Sequence, residues 1–304
     1  WKSRRAFLKG AAGLVAGAPF ASRLASPATP RKRFDPDFGT AGEAVRAIRA
    51  SVISSRELVE HTFKRIQRFN PAINAFVSLT EEQAMARARQ ADEAQAGRKS
   101  WGPLHGLPIL IKDVFETAGV RTTSGSKTLE KYIPHEDAVA VARLKAAGAI
   151  IVGKTNLPEF ASDLQSYNEV AGTTNNPWDP GRTPGGSTGG GAAALAAGFG
   201  FLELGSDIGG SIRTPSHFCG IYGHKPTLNL VPHAGHIPPL PGQVQAVEDL
   251  PVVGPMARSA QDLRLELELI GGPAPDEARA YRWNLPSPRR ARLQDYRIGY
   301  VLDD

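Results

Sequence analysis

The chain has 304 residues, 41% of them hydrophobic, enough to enclose a sizeable core in one large domain or two small ones. Its formal charge of +6 is concentrated at one end: the first 33 residues hold eight basic side chains (Lys2, Arg4, Arg5, Lys9, Arg23, Arg31, Lys32, Arg33) and no acid, and taking eight from six leaves −2 for the rest. A near-neutral body has no electrostatic footprint for nucleic acid, and the single cysteine, Cys219, excludes an intrachain disulfide and reads as a small buried apolar group.

Taken in chain order, the first element is the stretch "SRRAFLKGAAGLVAGAPFA". Paired Arg4 and Arg5, then Phe7, Leu8, Lys9 and a weakly apolar Gly/Ala run, resemble a twin-arginine export signal over residues 1–28, with cleavage expected between Ala21 and Ala28. The run is too short and too glycine-rich for a stable membrane anchor. The resemblance implies passage through the twin-arginine export machinery and a periplasmic location. The first residue is Trp1, so the start of translation is expected upstream.

Residues 29–40 read as a linker, and residues 41–304 as the domain that follows it. Within "ISSRELVEHTFKRIQRFNP", Ser54 and Glu57 have capping-box spacing. Leu58, Val59, Thr62, Phe63 and Ile66 then form a helical stripe that Asn70-Pro71 is expected to stop. Thr80 and Gln83 open an alanine-rich helix ending at Gly97. From Leu107 to Lys112 a continuous apolar run ends in a charge, and 149–153 ("AIIVG") is a second such run. A helix between them makes a strand–helix–strand crossover, hence a parallel sheet buried on both faces. A helix over 191–199 leads to a third strand at 201–207, and Ile298 to Leu302 reads as the start of another.

Two Gly-Gly-Ser triplets, at Ser187 and Ser211, lie 24 positions apart in this α/β framework. In "GSDIGGSIR" the backbone N–H groups of Ile208, Gly209, Gly210 and Ser211 could converge on one point, as an oxyanion hole requires. The same letters also read as a helix start with Ser211 as its N-cap. "GGSTGG" satisfies the nucleophile-elbow pattern at Ser187, but the proline-rich "NNPWDPGRTP" before it cannot be the strand that an elbow needs. A serine nucleophile needs a base. None of the seven histidines has triad spacing, and no His/Cys/Glu spacing points to a metal. Lys112, at the carboxyl end of a buried strand, is the better base, since desolvation favours its neutral form; pairing with Asp113 is the bland alternative.

Together "LPILIKDVFETAGVRTTSGS", "GKTNLPEFA", "GTTNNPWDPGRTPGG", "GGSTGGGAAALAAG" and "GSDIGGSIRTPSHFCGIYGHKPT" resemble the amidase signature family, in the right order from about residue 40 to 304. The resemblance implies a mixed, mostly parallel central sheet covered by helices and incomplete at the C-terminus, because family members run well past this length. By motif position Ser211 corresponds to the nucleophile, Ser187 to a bridging serine after a cis peptide, and Lys112 to the base. Asp207 and Arg213 flank the nucleophile as braces. Thr188 stands where a second serine is common, and His224, Leu228-Asn229 and His236 depart from the family pattern.

The implied activity is hydrolysis of a small-molecule or peptide amide, with no cofactor and no metal. Oligomeric state is not legible, so a homo-oligomer stays open. Two rivals remain: an esterase using Ser187 with a histidine, and a non-catalytic secreted fragment. Transamidation on charged transfer RNA is a further family activity, disfavoured by the export signal.

Overall fold

The computed structural model describes residues 34–243, 249–280 and 282–299. The stretch read from sequence as an export signal (residues 1–28) and the expected linker up to residue 33 lie outside them. Thr40 opens the first helix, α1 (Ala41–Arg49), with a capping box closed by Glu43. Helix α2 (Ser55–Ile73) starts from the Ser54–Glu57 capping box, as its sequence predicts. It does not stop at Asn70-Pro71: Pro71 lies in the last turn, where its missing N–H forfeits a single bond. The helix closes at Asn74, which is left-handed and donates its N–H to the Asn70 carbonyl at 2.7 Å.

Strand β1 (Phe76–Leu79) follows, then helix α3 (Glu81–Ala96), which buries Ala84, Ala88 and Ala91. Thr80 sits at the N-cap of α3 but caps nothing; its hydroxyl donates to the Ile151 carbonyl at 2.7 Å. Strand β2 (Pro108–Lys112), helix α4 (Val139–Ala146) and strand β3 (Ile150–Thr155) form the expected crossover. A short hairpin, β4 (Tyr167–Asn168) and β5 (Gly172–Thr173), stands apart from the main sheet. Helix α5 (Gly189–Ala196) starts two residues before the stretch expected from sequence and leads into strand β6 (Leu202–Asp207). The chain continues through helix α6 (Arg213–Cys219), strand β7 (Tyr222–Gly223), strand β8 (Val252–Ala257) and helix α7 (Ala260–Ile270).

The six strands are ordered β1-β3-β2-β6-β8-β7. β3, β2 and β6 are mutually parallel, β1 and β8 run against them, and β7 runs against β8. Four of the six strands therefore share one direction, and the sheet is mixed and mostly parallel. The sheet separates two apolar layers. Ile109, Ile111, Leu202 and Leu204 pack with α1, α4 and α7, while Leu110, Ile150 and Val152 pack beneath α2, α3 and α5. Each such side chain contributes about 1.5–3 kcal/mol on burial. Asp262 of α7 accepts the Ala41 and Gly42 N–H groups at 2.9 and 3.0 Å, so a residue 221 positions away caps α1. No strand forms at Ile298 and Gly299; the rest of that expected strand lies outside the described residues. Among the described residues no helix is long and apolar enough to cross a membrane.

Candidate active site

Lys112 ends β2 and is completely buried. Its Nζ lies 2.6 Å from Ser187 Oγ, 3.1 Å from Ser206 Oγ and 3.5 Å from the Ser206 carbonyl. It makes no ion pair with Asp113, which instead accepts from the Thr123 hydroxyl and backbone and stands 3.8 Å from a second buried lysine, Lys154. Desolvation pulls Lys112 down to about 7, against the opposing pull of Glu203 and Asp207.

Ser187 is fully buried, and the Gly186–Ser187 peptide is cis. No strand precedes it, which removes the geometry of a nucleophile elbow. Ser166 clamps its loop: the Ser166 hydroxyl donates to the Gly185 carbonyl at 3.1 Å and accepts from the Gly189 N–H at 3.0 Å. The glycines that follow allow close approach of backbone to sheet. A Cβ on Gly190 would sit 2.4 Å from the Asn156 nitrogen, and one on Gly191 would sit 2.2 Å from Glu203 Oε1. That is why "GKTNLPEFA" belongs with "GGSTGGG": Asn156 is the floor on which α5 begins, and its carbonyl accepts the Gly190 N–H at 3.0 Å.

Ser211 lies in the turn between β6 and α6 and is nearly buried. It is not a helix N-cap: Ile212 holds that position. The Thr188 N–H donates to the Ser211 carbonyl at 3.1 Å, tying the two glycine-rich loops together. The Thr188 hydroxyl reaches the Ser206 carbonyl at 3.4 Å. Ser187, Ser206 and Ser211 line one cavity with Phe160, Ile208 and His236. No hydrogen bond joins Ser187 to Ser211 directly, as is common where catalytic contacts tighten only around bound substrate.

Asp207 closes this turn. Its carboxylate accepts from the N–H groups of Gly210 (2.8 Å), Ile212 (3.0 Å) and Arg213 (3.2 Å) and from the Arg213 guanidinium (2.9 and 3.1 Å). Burial alone would raise its pKa, but Arg213 and the backbone donors outweigh it and hold the carboxyl at about 2. One sequence expectation needs correction here. The Gly210 N–H is already committed to Asp207, so the expected oxyanion donors narrow to Ile208, Gly209 and Ser211. Gly210 is required for its backbone, with φ at +125°.

One buried group near the site, Lys154, went unread in the sequence, and His236 was noted only as a departure from the family pattern. Lys154 is as buried as Lys112 and donates to the Phe115 carbonyl and to the Thr117 and Thr122 hydroxyls. His236 packs edge-on against Phe115, its Nδ1 is 3.2 Å from the Pro238 carbonyl, and desolvation holds it down at about 3, so the ring is neutral. Cys219 is buried with its thiol pushed up to about 12, the inert apolar group the sequence suggested. His61 pairs with Asp37 at 2.6 Å, far along the chain from either serine.

Known proteins resemble this chain in sequence and in fold. Residues 57–304 match the family model described as Amidase. The chain is 46% identical over 239 residues to a subunit of glutamyl-tRNA(Gln) amidotransferase from Carboxydothermus hydrogenoformans, covering 79% of this chain and 48% of that protein. It is 45% identical over 231 residues to the corresponding protein of Synechococcus sp. (strain CC9605), covering 76% and 46%. Among solved structures, the native peptide amidase of Stenotrophomonas maltophilia superposes with a TM-score of 0.72 at 32% identity, covering 83% of this chain and 51% of that one. Fatty acid amide hydrolase does so with a TM-score of 0.72 at 31% identity, covering 79% and 42%. The chain thus spans about half the length of the relatives it matches.

Proposed function

The chain belongs to the amidase family, and from that premise we propose that it hydrolyses a carboxamide C–N bond through an acyl-enzyme on Ser211, with Ser187 as proton bridge and Lys112 as base. The observation that carries this reading is the 2.6 Å contact between Lys112 Nζ and Ser187 Oγ, with Ser187 lining the same cavity as Ser211. In its neutral form the amine has two N–H bonds to donate, and Ser206 offers two acceptors, its Oγ and its carbonyl. The nitrogen lone pair is then left for the Ser187 hydroxyl.

Ser187 gives its proton to Lys112 and takes the proton of Ser211 as Ser211 Oγ attacks the amide carbonyl. The N–H groups of Ile208, Gly209 and Ser211 receive the oxyanion, while Asp207 and Arg213 keep the turn in shape. The proton returns from Lys112 through Ser187 to the leaving nitrogen as the C–N bond breaks. Water then attacks the ester, activated by the same pair, and frees Ser211.

A serine-reactive fluorophosphonate, followed by mass-spectrometric mapping of the adduct, tests the assignment. Labelling on Ser211 that disappears in Lys112→Ala supports it. Labelling on Ser187 that survives Lys112→Ala overturns it in favour of an elbow-type esterase, and an unlabelled chain favours the non-catalytic reading.

The finer reading is an exported, periplasmic enzyme, supported by the Arg4-Arg5 segment alone. Fusing residues 1–40 to a folded reporter and fractionating cells with Arg4 and Arg5 intact or changed to Lys tests it; cytoplasmic retention of the intact fusion rejects export. The 46% identity to a component of an amidotransferase favours a second reading, in which the same acyl-enzyme chemistry frees an amide nitrogen for transfer to glutamyl-tRNA. Binding of transfer RNA by the purified chain, alone or with partner proteins, separates the two readings.

A further inference from the structure

We propose that Ser206 is a positioning residue for Lys112: its hydroxyl holds the amine so that the nitrogen lone pair, rather than an N–H bond, faces Ser187. This rests on the reading of Lys112 as the base.

Unequal strand lengths put the group there. β2 ends at Lys112, whereas β6 runs on to Asp207. The register pairs Ile111 with Leu204, so Ser206 stands past the end of β2. The lysine side chain reaches into that space and meets both polar atoms of one residue, the Ser206 hydroxyl at 3.1 Å and its carbonyl at 3.5 Å, with Ser187 Oγ at 2.6 Å. Lys112 is completely buried and Ser206 is 5% exposed, so water does not replace these contacts. The carbonyl is the poorer of the two Ser206 acceptors, because it is farther away and also takes the Thr188 hydroxyl at 3.4 Å.

The hydrogens of the amine fix what the hydroxyl does. As an ammonium, Lys112 has three N–H bonds and three acceptors: Ser187 Oγ, Ser206 Oγ and the Ser206 carbonyl. As a neutral amine it has two N–H bonds, and its lone pair must meet the Ser187 hydroxyl to take that proton. Ser206 accepts in both states, and only the bond to Ser187 reverses: Ser187 donates to the amine and accepts from the ammonium. Without the Ser206 hydroxyl, the two N–H bonds of the neutral amine have only the distant, shared carbonyl. One of them then turns toward Ser187 and takes the place of the lone pair. The ammonium loses more, because its bond is charge-assisted and a buried N–H is left unpaired. The ionisable groups acting on Lys112 are Glu203 and Asp207 of β6 and His236, between β7 and β8. Burial holds Glu203, whose carboxyl is bonded across β2 to the Thr155 hydroxyl at 2.6 Å, up at about 8, and holds His236 down at about 3. Asp207 is committed to Arg213 and the turn, and Lys154 of β3 is in register with Ile111, not Lys112. Among the described residues, the hydrogen-bond partners of the amine are the two serines.

The test is the rate of fluorophosphonate labelling at Ser211 as a function of pH, in the wild-type chain and in Ser206→Ala, Ser206→Thr and Lys112→Ala. Ser206→Ala keeps the carbonyl and removes the hydroxyl. The expected result is an acid-limb midpoint lower by about half to one pH unit, because the ammonium loses a stronger bond than the neutral amine does, with a plateau rate about ten-fold lower. Ser206→Thr keeps a hydroxyl and is expected to keep the wild-type midpoint. A merely structural role would slow labelling without moving the midpoint. A midpoint that stays in place or rises in Ser206→Ala therefore overturns the proposal, whatever the loss of rate, and so does a Ser206→Thr midpoint shifted as far as that of Ser206→Ala. Should Ser206→Ala not fold, Ser206→Cys, which leaves only a weak acceptor, is read in the same way. If Lys112→Ala labels as fast as wild type, Lys112 is not the base and both readings fall together. If Lys112→Ala abolishes labelling while Ser206→Ala keeps the wild-type midpoint, only the role of Ser206 falls.

Discussion

Asp207 holds Arg213 at both ends, taking two guanidinium nitrogens at 2.9 and 3.1 Å and the backbone N–H at 3.2 Å, so the residues flanking Ser211 are fixed from a single carboxylate. Because this carboxyl is held at about 2, below its ordinary 3.8, its contribution to stability is fully present above pH 3.8 and is lost as pH falls through about 2. Asp207→Asn turns an N–H donor toward groups that themselves donate, and the expected destabilisation is about 2–3 kcal/mol, read by urea unfolding at pH 7. Arg213→Ala leaves all three backbone bonds in place and removes a side chain already half in solvent, so it destabilises less. Equal losses in the two variants would show that the backbone bonds contribute nothing.

Lys112 predicts the pH profile of the reaction. Only its neutral amine accepts the Ser187 proton, and desolvation brings it down to about 7. Amide hydrolysis and Ser211 labelling rise as pH passes upward through about 7 and level off above it. Lys112→Met keeps the length without the amine and loses about 10²–10⁴-fold in rate. A flat profile from about pH 5 to 9 would contradict this assignment.

The glycines of the two beds are not equivalent. A Cβ on Gly191 would lie 2.2 Å from Glu203 Oε1, a fully buried atom with no room to retreat, whereas one on Gly209 meets nothing within 4 Å. Gly191→Ala is expected to destabilise by about 3 kcal/mol, and Gly209→Ala to leave the melting temperature unchanged. A thermal-shift comparison decides it, and similar melting temperatures for both variants would refute the close packing of α5 on the sheet.

Glu266 on α7 is wholly buried, and neither carboxyl oxygen has a hydrogen-bond partner. Desolvation, with Glu203 and Asp262 nearby, raises its pKa well above 4.5. The folded state therefore binds this proton more tightly than the unfolded chain. Below pH 4.5 both states are protonated and no penalty arises; above it the penalty grows with pH. Glu266→Met is expected to stabilise the protein by about 1–3 kcal/mol at about pH 8 and to be near neutral at about pH 4. Destabilisation on the alkaline side would mean that the carboxyl serves a role its surroundings do not reveal.

Much of this framework was legible along the chain. The capping box at Ser54 and Glu57 and the apolar runs ending at Lys112 and Asp207 are local signals, written in neighbouring residues, and the structure places helix and strands there. β8 was not legible: it carries Pro255 in the middle of a six-residue strand, and proline argues against strand until the partners on both sides are known. Lys154 and Glu203 were missed for a related reason. Each sits in a short apolar run where a lone charge resembles a strand end, and only the sheet order shows that both are fully covered.

By itself the sequence determined which chemical groups are available and how each is locally held: two serines in glycine-rich turns, a lysine at a strand end, and an aspartate just before a turn. Hydrogen-bonding and steric preferences within a few residues decide such matters. Only the tertiary structure decided what those groups do to one another. It set Lys112 against Ser187, 75 positions away, excluded water so that the amine loses its charge near neutrality, committed the Gly210 N–H to Asp207, and drew Glu203 across β2. Burial and through-space charge depend on strand order and on the closeness of α5 to the sheet, and these arise only when distant segments pack together.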